Sequence, residues 1–515
     1  MPESGTIGVR VTDTALPHHD PLDLYVRLRE TLDADDVFLF ESVDGADQDR
    51  RWAVVGFGRL AEIRVHDGYL EIDGATRIAE ALAGRAVAAG MADHTVAAGT
   101  HRLAFGSADR MWELLSAAGT LFEVTSDVPA TAYAFGFLTT FAYESAWHME
   151  SLPRRTKEAG GPDITLTLFR DTVWYDLADG SVRQLAAQSA AFADRPRRAD
   201  AAAGAGFTPD AGYMWGAGYA WGARNDGDRA AVPQAPAPLS VRDSVSRETF
   251  LGWAERCLEH IRVGDIYQIQ IGHRIDVRTE LTPVDVYRRL RARNPSPYMY
   301  LMPRAGRTLI GASPELFYRI EGDEITMRPI AGTARRCADP EENARRVKEM
   351  RESTKEQAEH IMLVDLCRND IGRVTRPSTQ PVDRLMAVET YSHVFHLVST
   401  VTGRLEPGVD TWRALRATFP AGTMTGAPKV RAMEIIDALE QERRGSYAGA
   451  VGLVDVRGWT ELALTIRTVE YDGETYSTQS SAGMVAQSEP ESEWRETLAK
   501  MGAAYWALTG EELSS

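Results

Sequence analysis

The chain has 515 residues, enough for a large core, and its length suggests two to four domains. Its formal net charge is −17, with no basic cluster of the kind that follows a phosphate backbone. This argues against a nucleic acid partner but leaves room for an anionic small substrate held by local Arg and Lys. Three cysteines, Cys257, Cys337 and Cys367, lack metal or redox spacing and fit a reducing compartment. The N-terminus has no apolar signal core and no stretch approaches bilayer length, so the expectation is a soluble, cytoplasmic protein.

Residues 1 to about 185 read as mixed α and β: a helix over Asp20–Leu32, a strand at Val37–Ser42 and buried sheet in the aromatic, glycine-rich run Tyr133–Tyr143. From about 186 to 240 the composition turns to Ala, Gly and Pro, ending in Val232-Pro233-Gln234-Ala235-Pro236-Ala237-Pro238. This is a linker candidate, because repeated proline blocks both helix and sheet. Its aromatics Tyr213, Trp215, Tyr219 and Trp221 argue against full disorder. The expected division is therefore an N-terminal region, 1–240, and a second region, 241–515. The second opens with an amphipathic helix, Ser246–Val263, and a strand, Ile266–Ile271. Strands follow at Tyr298–Met302, Leu309–Gly311 and Leu316–Ile320, then helix from about 340 to 367. Beyond it come a strand at Val394–Val401, a helix at Gly426–Leu439, and strands at Ala448–Val456, Glu461–Val469 and Thr475–Val485. Strands grouped with intervening helices, rather than in strict βαβ alternation, predict an α+β fold with large antiparallel sheets.

Two acidic helical pairs stand out. Glu356 and Glu359 share one helix face, and Glu493 and Glu496 share another, in a helix read as opening at Ser488 with Glu491 completing a capping box and Pro490 in its first turn. Two such faces meeting across a pocket could hold Mg2+ through oxygen ligands, although each alone is also what a solvated helix face looks like. The turn Phe419–Lys429 is rich in glycine and enters a helix, presenting N–H groups and a hydroxyl to an anion. It does not match the nucleotide-binding P-loop. Arg467, read inside a strand, needs a partner: a substrate carboxylate or a structural ion pair. Ser480-Ser481-Ala482-Gly483 precedes the last helix and offers further N–H donors. His396 lies in an apolar strand, where a satisfied core histidine is the commoner outcome.

Together these residues resemble the chorismate-utilising enzymes, and within them the anthranilate synthase large subunits. The resemblance runs from about Ser246 to Gly510 and rests on seven motifs in order: Gly264–Gln268, Gly311–Glu315, Pro329–Thr333, Glu356–Asp370, Phe395–Ser399, Gly422–Lys429 and Ser488–Thr497. It implies Mg2+ bound by Glu359 and Glu496, with Glu356 and Glu493 acting directly or through water, gripping the ring carboxylate of chorismate. It further implies that Arg467, Tyr447 and the backbone at Ala482 and Gly483 receive the enolpyruvyl carboxylate, and that Thr423, Gly426 and Lys429 line the pocket. Glu315 would protonate the departing C4 hydroxyl and His396 would take the C2 proton as pyruvate leaves.

Family members that add water carry Lys where this chain has Gln268, and members that aminate C4 carry a nucleophilic Lys where it has Ala331. The resemblance therefore implies amination at C2 with pyruvate elimination to anthranilate. The alternative is an enzyme that stops at 2-amino-2-deoxyisochorismate; a 4-amino-4-deoxychorismate synthase or a non-catalytic homologue fits less well. Three departures are visible: Ser480-Ser481-Ala482-Gly483 stands for the usual Ala-Gly-Ala-Gly, Glu461 for Asp, and Phe395 for Met. None of the cysteines lies in a Gly-x-Cys-x-Gly turn, so a separate glutamine amidotransferase subunit is expected to supply ammonia. Glu41 and Ser42, with Pro297, Tyr298 and Met299, resemble the tryptophan site of feedback-inhibited members and make tryptophan an expected inhibitor.

Overall fold

The computed structural model describes residues 5–97, 99–157, 160–196, 232–377, 382–391 and 394–513. Two long strands, Trp52–Val65 and Ile164–Asp176, pair antiparallel along their length and organise the molecule. Nearly every side chain in both is buried, because each strand is covered on two faces. At one end the pair continues through Val37–Glu41 to Tyr298–Arg304, Arg307–Ser313, Thr468–Tyr471, Tyr476–Met484 and Gln268–Arg278. At the other end it continues through Gly136–Phe141 to Ala450–Asp455, Thr460–Leu464, Leu316–Glu321, Glu324–Met327 and Val394–Arg404. Two antiparallel sheets thus share their central strands and diverge, flanked by helices, in the α+β arrangement the strand grouping predicts.

An aromatic core draws on both halves of the chain: Phe38, Phe40, Trp52, Phe169 and Trp174 join Tyr300, Leu453 and Trp459. The Trp52 and Trp174 ring centroids are 4.9 Å apart. Burial of each such side chain contributes about 1.5–3 kcal/mol. The two regions expected to divide near residue 240 also share hydrogen-bonded ladders, Val37–Glu41 with Tyr298–Arg304 and Gly136–Phe141 with Ala450–Asp455. Of the linker candidate, residues 197–231, with their four aromatics, lie outside the described residues. Its proline run is packed against the protein, with the Pro233 carbonyl accepting from Arg289 at 2.5 Å. Among the described residues, no helix is long and apolar enough to cross a membrane.

Several elements differ from expectation for local reasons. The helix expected over 340–367 is two helices, Pro340–Glu352 and Thr354–Gly372, because Ser353 is extended and caps the second by accepting from the Glu356 N–H at 3.3 Å. The helix expected from Gly426 begins at Lys429, since Gly426–Ala427 instead pairs with Gln268–Ile269. A Cβ on Gly426 would collide with the Gln268 carbonyl, so glycine there permits the two backbones to touch. The last helix, Pro490–Thr509, is flanked by Glu489 with no side-chain cap. Ser488 is not its N-cap, because its hydroxyl accepts from the Val485 N–H at 3.0 Å.

Candidate active site

Arg467 does not lie within a strand. It breaks Thr460–Leu464 from Thr468–Tyr471 with φ of +51°, a left-handed conformation that costs a non-glycine residue on the order of 1–3 kcal/mol. Its carbonyl is held by the Ala312 N–H at 3.1 Å, which fixes the break to the neighbouring strand. Among the described residues its guanidinium forms no ion pair. Burial depresses its pKa, with Tyr447 and Glu496 as its compensating neighbours. A buried guanidinium without a bonded carboxylate has the chemistry to receive an anion.

The rest of the cleft gathers around it. Gln268, Gln270, Ser481 and Gly483 share one face of the ladder between Gln268–Arg278 and Tyr476–Met484, with Gln270 opposite Gly483 and Ala482 on the buried face opposite Ile271. A Cβ on Gly483 would sit 2.9 Å from Gln270 Nε2 and 3.4 Å from Gln268 Nε2, so the missing side chain is what keeps that floor open. Gln268 is buried, and its Oε1 has no hydrogen-bond partner among the described residues. The Tyr447 hydroxyl donates to Ser481 Oγ at 2.7 Å, and burial lifts its pKa to about 12.

Glu315 is buried next to Thr423, whose hydroxyl lies beside the carboxyl without reaching hydrogen-bond geometry. Burial pushes the Glu315 pKa to about 8, with Lys500 drawing it partly back, so this carboxyl is a neutral acid at pH 7. A cavity of 10 Å3, room for about one water, touches Glu315, Cys367 and Thr423. His396 Nδ1 lies 3.0 Å from the Gly332 carbonyl and 3.1 Å from Thr333 Oγ1. A carbonyl can only accept, so the proton sits on Nδ1 and Nε2 keeps its lone pair. Burial lowers its pKa to about 4; the Gly332 carbonyl opposes this and Arg467 adds to it.

The acidic helices are held by specific anchors. The helix Thr354–Gly372 packs on the strands Ile330–Arg335 and Val394–Arg404, with His360 Nε2 and Ser399 Oγ 2.5 Å apart. It brings Glu356 Oε2 to 3.2 Å from where a Cβ on Gly332 would lie, beside Ala331. The last helix is pinned by Ser480, which donates to the Thr497 carbonyl at 2.7 Å. It is pinned also by His273, which pairs with Thr497 Oγ1 at 2.8 Å and stacks on Trp494 at 4.5 Å. Glu493 is buried, while Glu496 pairs with Lys500 at 2.6 Å. Among the described residues, no three His, Cys, Asp or Glu side chains form a ready metal cluster. The donor chemistry still fits Mg2+, which is commonly held by one or two carboxylates together with waters and substrate oxygens.

Two expected pocket residues also make scaffold contacts. Lys429 pairs with buried Asp370 at 2.9 Å and donates to the Thr418 carbonyl at 3.0 Å, and Gly426 provides the close approach to Gln268. Glu461 is spent on Arg319 at 2.5 Å. Sequence reasoning missed Lys500, whose Nζ reaches Glu496 and the Ser481 carbonyl at 2.9 Å. Its signal was its spacing of four and seven from Glu496 and Glu493. It also missed Arg444, fully buried, which grips Glu440 at 2.6 Å and donates to the carbonyls of Met424 at 2.9 Å and Gln270 at 2.7 Å. No local pattern marks that role. In the N-terminal part of the chain, Glu41 lies opposite Met299 and accepts from the Tyr287 hydroxyl at 2.6 Å and from Arg291 at 2.8 Å. Ser42 and Tyr298 both bond Asp49, at 3.5 and 3.1 Å, and Pro297 is buried beside them.

A sequence profile of the chorismate binding enzymes matches residues 72–505. The chain is 44% identical over 519 residues to a 2-amino-4-deoxychorismate synthase from Streptomyces globisporus, covering 99% of this chain and 98% of that one. It is 49% identical over 288 residues to the anthranilate synthase component 1 of Streptomyces coelicolor, covering 56% of each. Among solved structures, anthranilate synthase component I from Streptococcus pneumoniae superimposes with a TM-score of 0.64 at 26% identity, covering 88% of this chain and 92% of that one. The menaquinone-specific isochorismate synthase of Escherichia coli shares the fold, with a TM-score of 0.63 at 16% identity, covering 98% of this chain and 95% of that one.

Proposed function

The chain belongs to the chorismate binding enzyme family, and on that premise we propose that it aminates chorismate at C2, expels the C4 hydroxyl and keeps the enolpyruvyl arm on its product. The observation that carries the amination is Gln268. Its buried Oε1 lacks a donor among the described residues, which an ammonia N–H would satisfy, while a neutral amide cannot deprotonate water. The observation that favours retention of the arm is the end-to-end likeness to the Streptomyces globisporus synthase. That relative's named product has the same connectivity as 2-amino-2-deoxyisochorismate.

In this reading Arg467, with the N–H groups near Gly483, receives the carboxylate of the arm. Mg2+ held by Glu359 and Glu496, with Glu356 and Glu493 direct or through water, would neutralise the ring carboxylate. Ammonia forms its bond to C2, the ring double bonds shift, and the C4–O bond breaks as neutral Glu315 gives its proton to the leaving hydroxyl, which departs as water; the new ammonium group then releases one proton, which closes the count. A charged carboxylate could not do this, and burial is what keeps Glu315 protonated. The second reading, continuation to anthranilate, is favoured by His396. Its free Nε2 is a neutral base able to take the C2 proton while the C3–O bond breaks and pyruvate leaves.

The test uses purified chain, chorismate, Mg2+ and an ammonium salt, with products weighed and pyruvate assayed. The expected result is an aminated product that retains the arm, with little pyruvate. Anthranilate with equimolar pyruvate would establish the second reading, and no consumption of chorismate would refute both.

A further inference from the structure

The departure Ser480-Ser481 for Ala-Gly splits into two tasks. Ser480 turns to the last helix, whereas Ser481 shares the cleft face with Gln270 and Gly483. The Ser481 hydroxyl is buried between two polar groups: it accepts from the Tyr447 hydroxyl at 2.7 Å and donates to Gln270 Oε1 at 2.9 Å. A tyrosine hydroxyl carries one proton, so in this chain of bonds Tyr447 gives its donor to Ser481. The amide of Gln270 is thereby oriented, oxygen toward Ser481 and NH2 toward the open floor, where Nε2 is 2.9 Å from the point a Cβ of Gly483 would occupy. The Gln270 backbone is held just as firmly. Its N–H donates to the Thr425 carbonyl at 2.8 Å, and its carbonyl accepts from buried Arg444 at 2.7 Å.

We propose that Gln270 is a further substrate-binding residue, giving a side-chain N–H to the carboxylate of the enolpyruvyl arm over Gly483, and that Ser481 is the positioning residue that aims it. The inference rests on the reading that the arm lies between Arg467 and Gly483. An oriented amide donor replaces the phenol proton that Ser481 takes up, and the arm is held by the guanidinium and two kinds of N–H. With glycine at position 481 the Gln270 amide would lose its anchor and be free to turn its oxygen toward the anion.

With ammonium withheld the proposed amination lacks its nucleophile, so a chorismate dissociation constant is to be read by calorimetry beside the steady-state constants. Gln270→Glu, which removes the donors and adds a like charge, should weaken chorismate binding and raise its KM at least about tenfold, while kcat and the KM for ammonium stay within about threefold. Ser481→Ala should weaken chorismate binding about threefold to tenfold, and Ser481→Thr, which keeps the hydroxyl, should restore it to within about twofold. Gln270→Leu, similar in size and uncharged, gives the same readout if Gln270→Glu does not fold. Unchanged chorismate affinity in the Ser481→Ala and Gln270 variants, with the wild type turning over, would overturn this inference alone. So would a loss in Ser481→Ala shared equally by kcat and the ammonium KM, which marks general disruption. A wild type that does not consume chorismate would overturn the proposed reaction and the inference with it.

Discussion

Burial moves the two principal titrating groups of the cleft in opposite directions, and each shift suits its chemistry. Glu315 is lifted from the usual 4.5 to about 8, so it can act as an acid below pH 8 and loses that capacity as pH rises through 8. Glu315→Gln should lower kcat by about 10²–10⁴-fold and abolish the alkaline limb of the pH–rate profile. Stability changes with the same sign. The unfolded Glu315 releases its proton near pH 4.5 and the folded one near 8, so its favourable contribution is complete below 4.5 and fades as pH rises to 8. Denaturant titrations at pH 4.5, 6 and 8 should therefore show Glu315→Gln gaining on the wild type as pH increases. His396, lowered to about 4, is neutral over the upper part of that range. His396→Ala should retain amination and lose, by at least about 10²-fold, whatever pyruvate release the wild type shows.

At the scale of elements, the helices Thr354–Gly372 and Pro490–Thr509 and the ladder between Gln268–Arg278 and Tyr476–Met484 are each fixed by buried polar anchors. Arg444 and Glu440 bind three backbone groups on two segments: the Met424 carbonyl in the turn, and in the strand the Gln270 carbonyl and the Gly272 N–H, which donates to Glu440 at 3.0 Å. Arg444→Leu leaves a buried carboxylate unpaired and should cost about 3–5 kcal/mol in urea unfolding. Loss of chorismate affinity should accompany it, because Gln270 loses its backbone anchor. The acidic helices make a separate prediction. Glu359→Ala and Glu496→Ala should each abolish Mg2+-dependent turnover, read as the response of rate to a Mg2+ titration. Wild-type Mg2+ response in both would rule out their role as ligands.

For the whole molecule, the shared ladders mean that the N-terminal residues bear on the cleft. Asp49, bonded to Ser42 and Tyr298, also pairs with Arg328 at 3.3 Å. Arg328 binds Glu389 at 2.6 and 2.7 Å, and Glu389 lies directly opposite His396. An occupant near Tyr298 would adjoin this run of paired charges, which ends at a residue opposite His396. We propose on this basis that tryptophan inhibits, so activity should fall across a tryptophan titration, and a flat curve would rule the site out. We also propose that ammonia reaches the chain from a separate glutaminase: the purified chain should be active with ammonium and inactive with glutamine until that subunit is added.

Motif order pointed to the family and strand grouping to the α+β class, and chemistry-bearing residue types at set spacings nominated cleft residues from a linear reading: Glu356 with Glu359, Glu493 with Glu496, Gln268, Glu315 and His396. The strained turn at Arg467 was invisible, since its flanks read as one apolar strand and only the ladder to Ala312 forces the break. The ion pair of Lys429 with buried Asp370, 59 positions away, left no mark in the local sequence. The link from Ser481 to both Tyr447 and Gln270 joins residues 34 and 211 positions apart, and the grip of Arg444 on Gln270 spans 174. Local periodicity records which face a side chain takes. It carries nothing about which distant backbone will be brought against that face, so the protonation of Glu315, the free lone pair of His396 and the aim of Gln270 were decided by tertiary packing, where burial and paired donors set the energies.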